Sequence, residues 1–287
     1  MSTSALTHDP AATNAANAAN AANATGPADP TTRSTGGSAG TGSPGIPFGR
    51  LLHLELRKLV DTRSGRWLLI ITLGLVAAIN VGFLIWGDHS TTGLTTFVGG
   101  SSQAMMLLLP VLGILAATSE FSQRTGLVTF TQEPRRLRVV LAKTLAALTL
   151  GLASMAVALL VGVVSTGIAV AIHDPVDPWH IGWGALGGVL AQLLNLLQGV
   201  AFGLLLTAPA AAIAAFYIVP TLWMFLTGMI SALRDAGPWI DMARSTEPLV
   251  MGTMNGEAWA HLASAAAIWT LLPFVVGCVL ISRREIK

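Results

Sequence analysis

The acids and bases of this chain stop at the ends of its apolar stretches. Glu55, Lys58, Glu120, Arg124, Arg135 and Arg138 flank hydrophobic runs, and no Asp, Glu, His, Lys or Arg occurs between Ile181 and Leu233. Proton- and ion-coupled carriers usually place such groups inside their spans, which disfavours a self-sufficient secondary carrier. Hydrolytic zinc chemistry asks for a His-Glu-x-x-His pattern or a comparable cluster. The sequence holds neither, and His89, His173, His180 and His261 are scattered. The one cysteine, Cys278, is too few for a disulfide or a thiolate site within one chain. There is no Gly-x-x-x-x-Gly-Lys phosphate loop, so the chain itself is not expected to bind ATP in that manner. No catalytic residue, metal ligand or resident cofactor is assigned, and the chain reads as a non-enzyme.

Neutral amides are the polar groups that do enter the apolar runs. Gln192, Asn195 and Gln198 form a drifting stripe on one expected span, beside Gly184, Gly188, Gly199 and Gly203. The two Gly-x-x-x-Gly pairs let backbones approach, and the amides can bond across helices. Helix packing is the preferred reading of the stripe, with a substrate path as the alternative. Asn80 and Gln103 are read in the same way.

The elements that must position these groups follow from hydropathy. Hydrophobic residues make up 53% of the 287 and charged residues 10%, against roughly 25% charged in soluble domains. With a mean hydropathy of +0.66, the bilayer must be the solvent. The expected fold is an all-α integral membrane protein of six transmembrane helices preceded by an amphipathic interfacial helix. Residues 1–46 carry an Ala-Ala-Asn repeat and almost no large apolar side chain, so they read as a disordered tail that is not a cleaved signal. Over 47–66, Phe48, Leu51, Leu52, Leu56, Leu59 and Val60 share one arc opposite Arg50, Arg57 and Asp61, as in a helix lying at a membrane surface. Glu55 falls on the apolar arc. It either meets a partner there or sits at the arc's edge in headgroup water.

The transmembrane domain, 67–287, holds spans at about 67–87, 94–118, 139–172, 181–206, 209–233 and 259–282. As one helix the third would be roughly 50 Å long, beyond the ~30 Å hydrocarbon core, so it must tilt, break or project. Thr207-Ala208-Pro209 is the expected turn between the fourth and fifth spans, with Pro209 near a first helical position. Arg50, Arg57, Lys58, Arg63 and Arg66, then Arg124, Arg135, Arg136, Arg138 and Lys143, then Arg283, Arg284 and Lys287 lie at alternate ends, while the intervening loops hold only Arg234 and Arg244 among several acids. The positive-inside rule then puts both termini in the cytoplasm. The formal charge of +2 is too small to suggest nucleic acid as a partner.

The loop after the second span carries a resemblance. Glu120-Phe121-Ser122-Gln123-Arg124-Thr125-Gly126, then Gln132-Glu133-Pro134-Arg135-Arg136-Leu137-Arg138, then Lys143, is similar to permease subunits of the type-2 ABC exporter family. Glu55-Leu56-Arg57-Lys58-Leu59 and the Ser282-Arg283-Arg284-Glu285-Ile286 ending extend the likeness over about residues 50–287. Thr125-Gly126 reverses the commoner order, and no basic residue accompanies the Thr207-Ala208-Pro209 turn.

The resemblance implies an exporter subunit in a cell membrane, the bacterial cytoplasmic membrane being the expected one. Its implied partners are a second permease protomer, identical or paralogous, and a separate ATPase subunit that binds the ATP. Glu55, Lys58, Glu120, Phe121, Arg124, Pro134, Arg135 and Arg138 are the implied coupling residues. For Glu120 a local ion pair is the companion reading, and for Arg136 and Lys143 orientation by anionic headgroups is preferred. The segment from Asp235 to Glu257 resembles the short interfacial helices that precede the last span in this family. A sensor or scaffold of the same fold that moves no substrate is the alternative function.

Overall fold

The computed structural model describes residues 47–88, 90–122, 136–173, 175–230, 233 and 235–283, without the side chains of 120–122. The tail 1–46 lies outside the described residues. Every regular element among them is helical. Six helices are long and apolar enough to cross a membrane, and the protein is a multi-pass membrane protein.

Helix α1 covers Phe48–Asp61 and buries Leu51, Glu55 and Leu59 on one face, while Arg57 and Asp61 pair across one exposed turn at 3.1 Å. Thr62 breaks the run in an extended conformation, and its hydroxyl caps α2, Arg63–Trp86, by accepting from the Gly65 amide. The α1–α2 corner is tight. A Cβ on Gly65 would stand 1.9 Å from the Leu59 carbonyl oxygen, so only glycine fits there.

α3 spans Leu94–Ser122 with Pro110 inside it. α4 runs unbroken over Arg136–His173, 38 residues, or roughly 57 Å. Of tilting, breaking and projecting, breaking is excluded. The first turns of α4 bury Val139 and Ala142 against Leu51 and Phe48 of α1, so α1 covers that end of α4.

α5 spans Gly184–Leu206 and ends where Thr207 takes a left-handed φ of 56°. Ala208 is extended and Pro209 opens α6, Pro209–Met229, where its missing N–H costs nothing. Three short helices follow: α7 (Gly237–Ile240), α8 (Met242–Met251) and α9 (Gly256–Ala266). Asp241 caps α8 by accepting from the amides of Ala243 and Arg244. A π-turn at Ala267–Leu271 leads into α10, Leu272–Arg283. It lies just ahead of Pro273, which has no N–H to continue an α ladder.

The packing shows which solvent the fold is built for. The buried side of α4 is small: Ala142, Ala146, Ala147, Gly151, Ser154, Ala158 and Gly162. Large apolar residues face outward, among them Leu160 at 64% exposure and Phe225 at 60%. Water would penalise that arrangement, and lipid does not, because helices in a bilayer associate through close backbone approach and interhelical hydrogen bonds. α3 and α5 pack most extensively. A Cβ on Gly199 would lie 2.3 Å from the Pro110 carbonyl oxygen, and one on Gly203 2.8 Å from the Ala117 Cβ. The second Gly-x-x-x-Gly pair therefore forms the α3–α5 seam. The first does not act as a pair. Gly184 meets the Val250 backbone and Gly187, not Gly188, meets Leu249, while Gly188 faces open space.

Candidate functional site

Two polar assemblies stand out, one beside α1 and one deep in the α3–α5–α6 region. The first is a buried ion pair. Lys143 Nζ lies 2.8 Å from Glu55 Oε2 with both side chains 4% exposed. Lys58 Nζ donates to Glu55 Oε1 at 2.6 Å from the rim of α1, and Lys143 also donates to Ser119 Oγ at 3.2 Å. Each helix contributes for a local reason. On α1, Glu55 stands one turn from both Leu51 and Leu59, all on the buried face. On α4, Lys143 shares its face with Val139, Val140, Ala146 and Ala147. On α3, Ser119 turns its hydroxyl back to the Ala116 carbonyl in the last turn.

Burial acts against the Glu55 carboxylate, and it is the largest single influence. The neighbouring Lys143 and Lys58 charges and their hydrogen bonds outweigh it, so the carboxyl titrates below its ordinary value. At neutral pH Glu55 is ionised. The network thus ties α1, α3 and α4 together through the Lys143 ammonium, which meets Glu55 of α1 and Ser119 of α3. Truncating one partner of such a buried pair costs about 3–5 kcal/mol, since it strands the other charge.

This arrangement decides between the two readings of Glu55: it has partners and does not sit in headgroup water. It also corrects the reading of Lys143, which is not held at an anionic lipid surface but buried against Glu55. Arg136 likewise has a protein partner, donating to the Ile281 carbonyl oxygen at 2.8 Å, where a cation meets the last carbonyls of α10. Lys58 belongs to the network. Arg138 lies on the first turn of α4, half-buried, five residues before Lys143. Glu120 and Phe121 continue the α3 backbone directly after Ser119, with side chains outside the described residues. Arg124, Pro134 and Arg135 lie outside the described residues altogether. Ser119 was missed in the sequence, where a lone serine carries no signal. Lys143 did carry one, through the spacing that sets it among Val139, Val140, Ala146 and Ala147.

In the second assembly the amide stripe divides. Gln192 donates to the Ser102 carbonyl oxygen at 2.6 Å, and Asn195 to that of Met106 at 2.9 Å. Both are bonds from α5 to α3, as packing requires. Tyr217 on α6 donates its hydroxyl to the Leu107 carbonyl oxygen. Gln198 differs, because it is 3% exposed yet its amide makes no hydrogen bond among the described residues. It lines a recess of about 340 Å³. A larger cavity of about 630 Å³ lies between α3, α4 and α5, with Leu152, Met155 and Leu186 in its mostly apolar wall. Farther along, Asn80 of α2 donates to Ser101 Oγ of α3 at 2.8 Å.

No family model matches the chain, and no curated protein matches it.

Proposed function

We propose that the chain is the permease subunit of an ATP-driven exporter, powered by a separate ATPase that docks at the end of the bundle holding α1. The observation that carries this reading is the Glu55–Lys143 pair with its Ser119 contact. A helix lying outside the apolar spans is fastened by a buried, charge-assisted bond to the starts of the long α4 and the end of α3. Displacing α1 or the loop after α3 therefore pulls on membrane-crossing helices. A chain without such a need could leave the basic residues of α1 and α4 in headgroup water, where they would orient the protein equally well.

Orientation supports the same reading. The basic residues of α1, the start of α4 and Arg283 share one end of the bundle, where Lys143 meets α1 and Arg136 meets the end of α10, and the positive-inside rule assigns that end to the cytoplasm, where ATP is. α1 then lies at the cytoplasmic interface, and α7 and α8 stand at the outer end. The resemblance of the Glu120–Lys143 segment to type-2 ABC permeases names the motor class, and a second permease protomer completes the assembly.

Affinity purification of the full chain from the membranes of its own cell, followed by mass spectrometry and an ATP hydrolysis assay, tests this. The expected result is a near-stoichiometric soluble chain carrying a phosphate loop and hydrolysing ATP. Recovery of the chain with no ATPase, in a bilayer-mimicking detergent that keeps it folded, would favour the sensor or scaffold reading.

A further inference from the structure

The recess beside Gln198 is built from four helices. Gln103 comes from α3, Asn195 and Gln198 from α5, Tyr217 and Thr221 from α6, and Thr246 from α8. Apart from the Tyr217 phenol these side chains are not ionisable. Their hydrogen bonds are partly spent: Asn195 Nδ2 goes to Met106, Tyr217 to Leu107, Thr221 to Tyr217, and Thr246 to Met242 and Ala243. Among the described residues Gln198 keeps both its donor and its acceptor free, and Gln103 likewise shows no side-chain bond.

An amide left without partners in an apolar medium costs several kcal/mol in the strictest reference state, and the Gln198 side chain lines the recess instead of meeting a protein partner among the described residues. Gln192 and Asn195 spend their amides on α3 carbonyls, whereas Gln198 lines the recess. The volume, about 340 Å³, falls at the lower end of small-molecule sites, roughly 300–1,000 Å³. Met106, Leu107 and Phe216 supply an apolar wall next to the amides.

We propose that this recess binds an uncharged amphiphile whose hydroxyl or amide head offers both donors and acceptors to Gln198, with a short apolar body against Met106, Leu107 and Phe216. A charged head is excluded by the same physics, because it would enter a site with no opposite charge to meet it. Binding is a property of the single chain and needs no motor, so it stands or falls separately from the ATPase reading.

The test uses the full chain in phosphatidylcholine nanodiscs with a diazirine-bearing octyl glucoside as the probe. A diazirine-bearing octyltrimethylammonium serves as the charged counterpart. Photolabelling mapped by mass spectrometry should concentrate on peptides of α5 and α6, saturate, and be displaced by unlabelled octyl glucoside. Gln198→Leu, similar in volume, should lower saturable labelling about fivefold or more, and Gln198→Asn should restore part of it. Thr221→Val, at an exposed rim position, should lower it two- to threefold. Labelling spread evenly over the lipid-facing helices, equal labelling by the cation, or unchanged saturation in both Gln198→Leu and Thr221→Val would overturn the proposal. Displacement-insensitive labelling together with a disulfide between Thr221→Cys chains would overturn it too, by assigning the face to a second copy.

Discussion

Glu55 shows how one carboxylate can be both unwelcome and necessary. Its burial raises the cost of its charge, and Lys143 and Lys58 more than offset it. Glu55→Gln should lower the midpoint of thermal unfolding markedly, in line with about 3–5 kcal/mol for a stranded buried partner. The double change Glu55→Leu with Lys143→Met should recover most of the loss, since a buried pair often exchanges for apolar groups at little cost. The pH dependence follows from the direction of the shift. The folded carboxyl titrates below its ordinary value of 4.5, so its contribution is fully present above that pH and is lost as pH falls through the lower folded value. Melting of the parent and of Glu55→Gln should therefore differ by a constant amount from pH 7 down to about 5 and converge only in stronger acid. Convergence already at pH 6 would mean the carboxylate is not held as described. In the sequence, the misfit of Glu55 on an apolar arc was legible, but its partner was not. Glu55 and Lys143 are separated by 88 positions, and hydropathy says nothing about which helices meet.

At the scale of elements, small residues set the distances between helices. Six apolar stretches were legible because each exceeds the bilayer core, and the Thr207-Ala208-Pro209 turn because an uncharged run of that length needs a break. Which glycines serve the seams was less so. Gly184 and Gly188 have the spacing of a contact pair, yet α8 meets α5 at Gly184 and Gly187, since the partner there is a short helix crossing the end of α5 and not a parallel span. Gly199→Ala should force α3 and α5 apart at the Pro110 carbonyl and cost about 1–3 kcal/mol, as overpacking does. Gly188→Ala, with nothing within 4 Å of the added carbon, should be neutral or slightly stabilising through helix propensity. Thermal melts of the two variants in the same detergent compare them directly. Equal losses would contradict the seam. The long α4 was readable as a problem, and its solution was not, because only the fold shows α1 lying along its first turns.

At the scale of the whole molecule, the proposed function turns on orientation and coupling. Cysteine substitution near Pro175 should react with an impermeant thiol reagent on intact cells, and substitution at Arg136 should react only after lysis. Early reaction at Arg136 would reverse the bundle and move α1 away from any cytoplasmic motor. Coupling is tested most directly on the complex of this chain with the ATPase proposed as its partner, reconstituted in nanodiscs and assayed for ATP hydrolysis. The Glu55→Leu with Lys143→Met pair removes the charged junction while keeping it packed, so loss of folding is separated from loss of transmission. The account predicts an assembled complex whose hydrolysis differs from the parent's by roughly tenfold, about 1.4 kcal/mol in the barrier. An assembled complex hydrolysing ATP at the parental rate would contradict it, and the Glu55–Lys143 bond would then be a structural fastening alone.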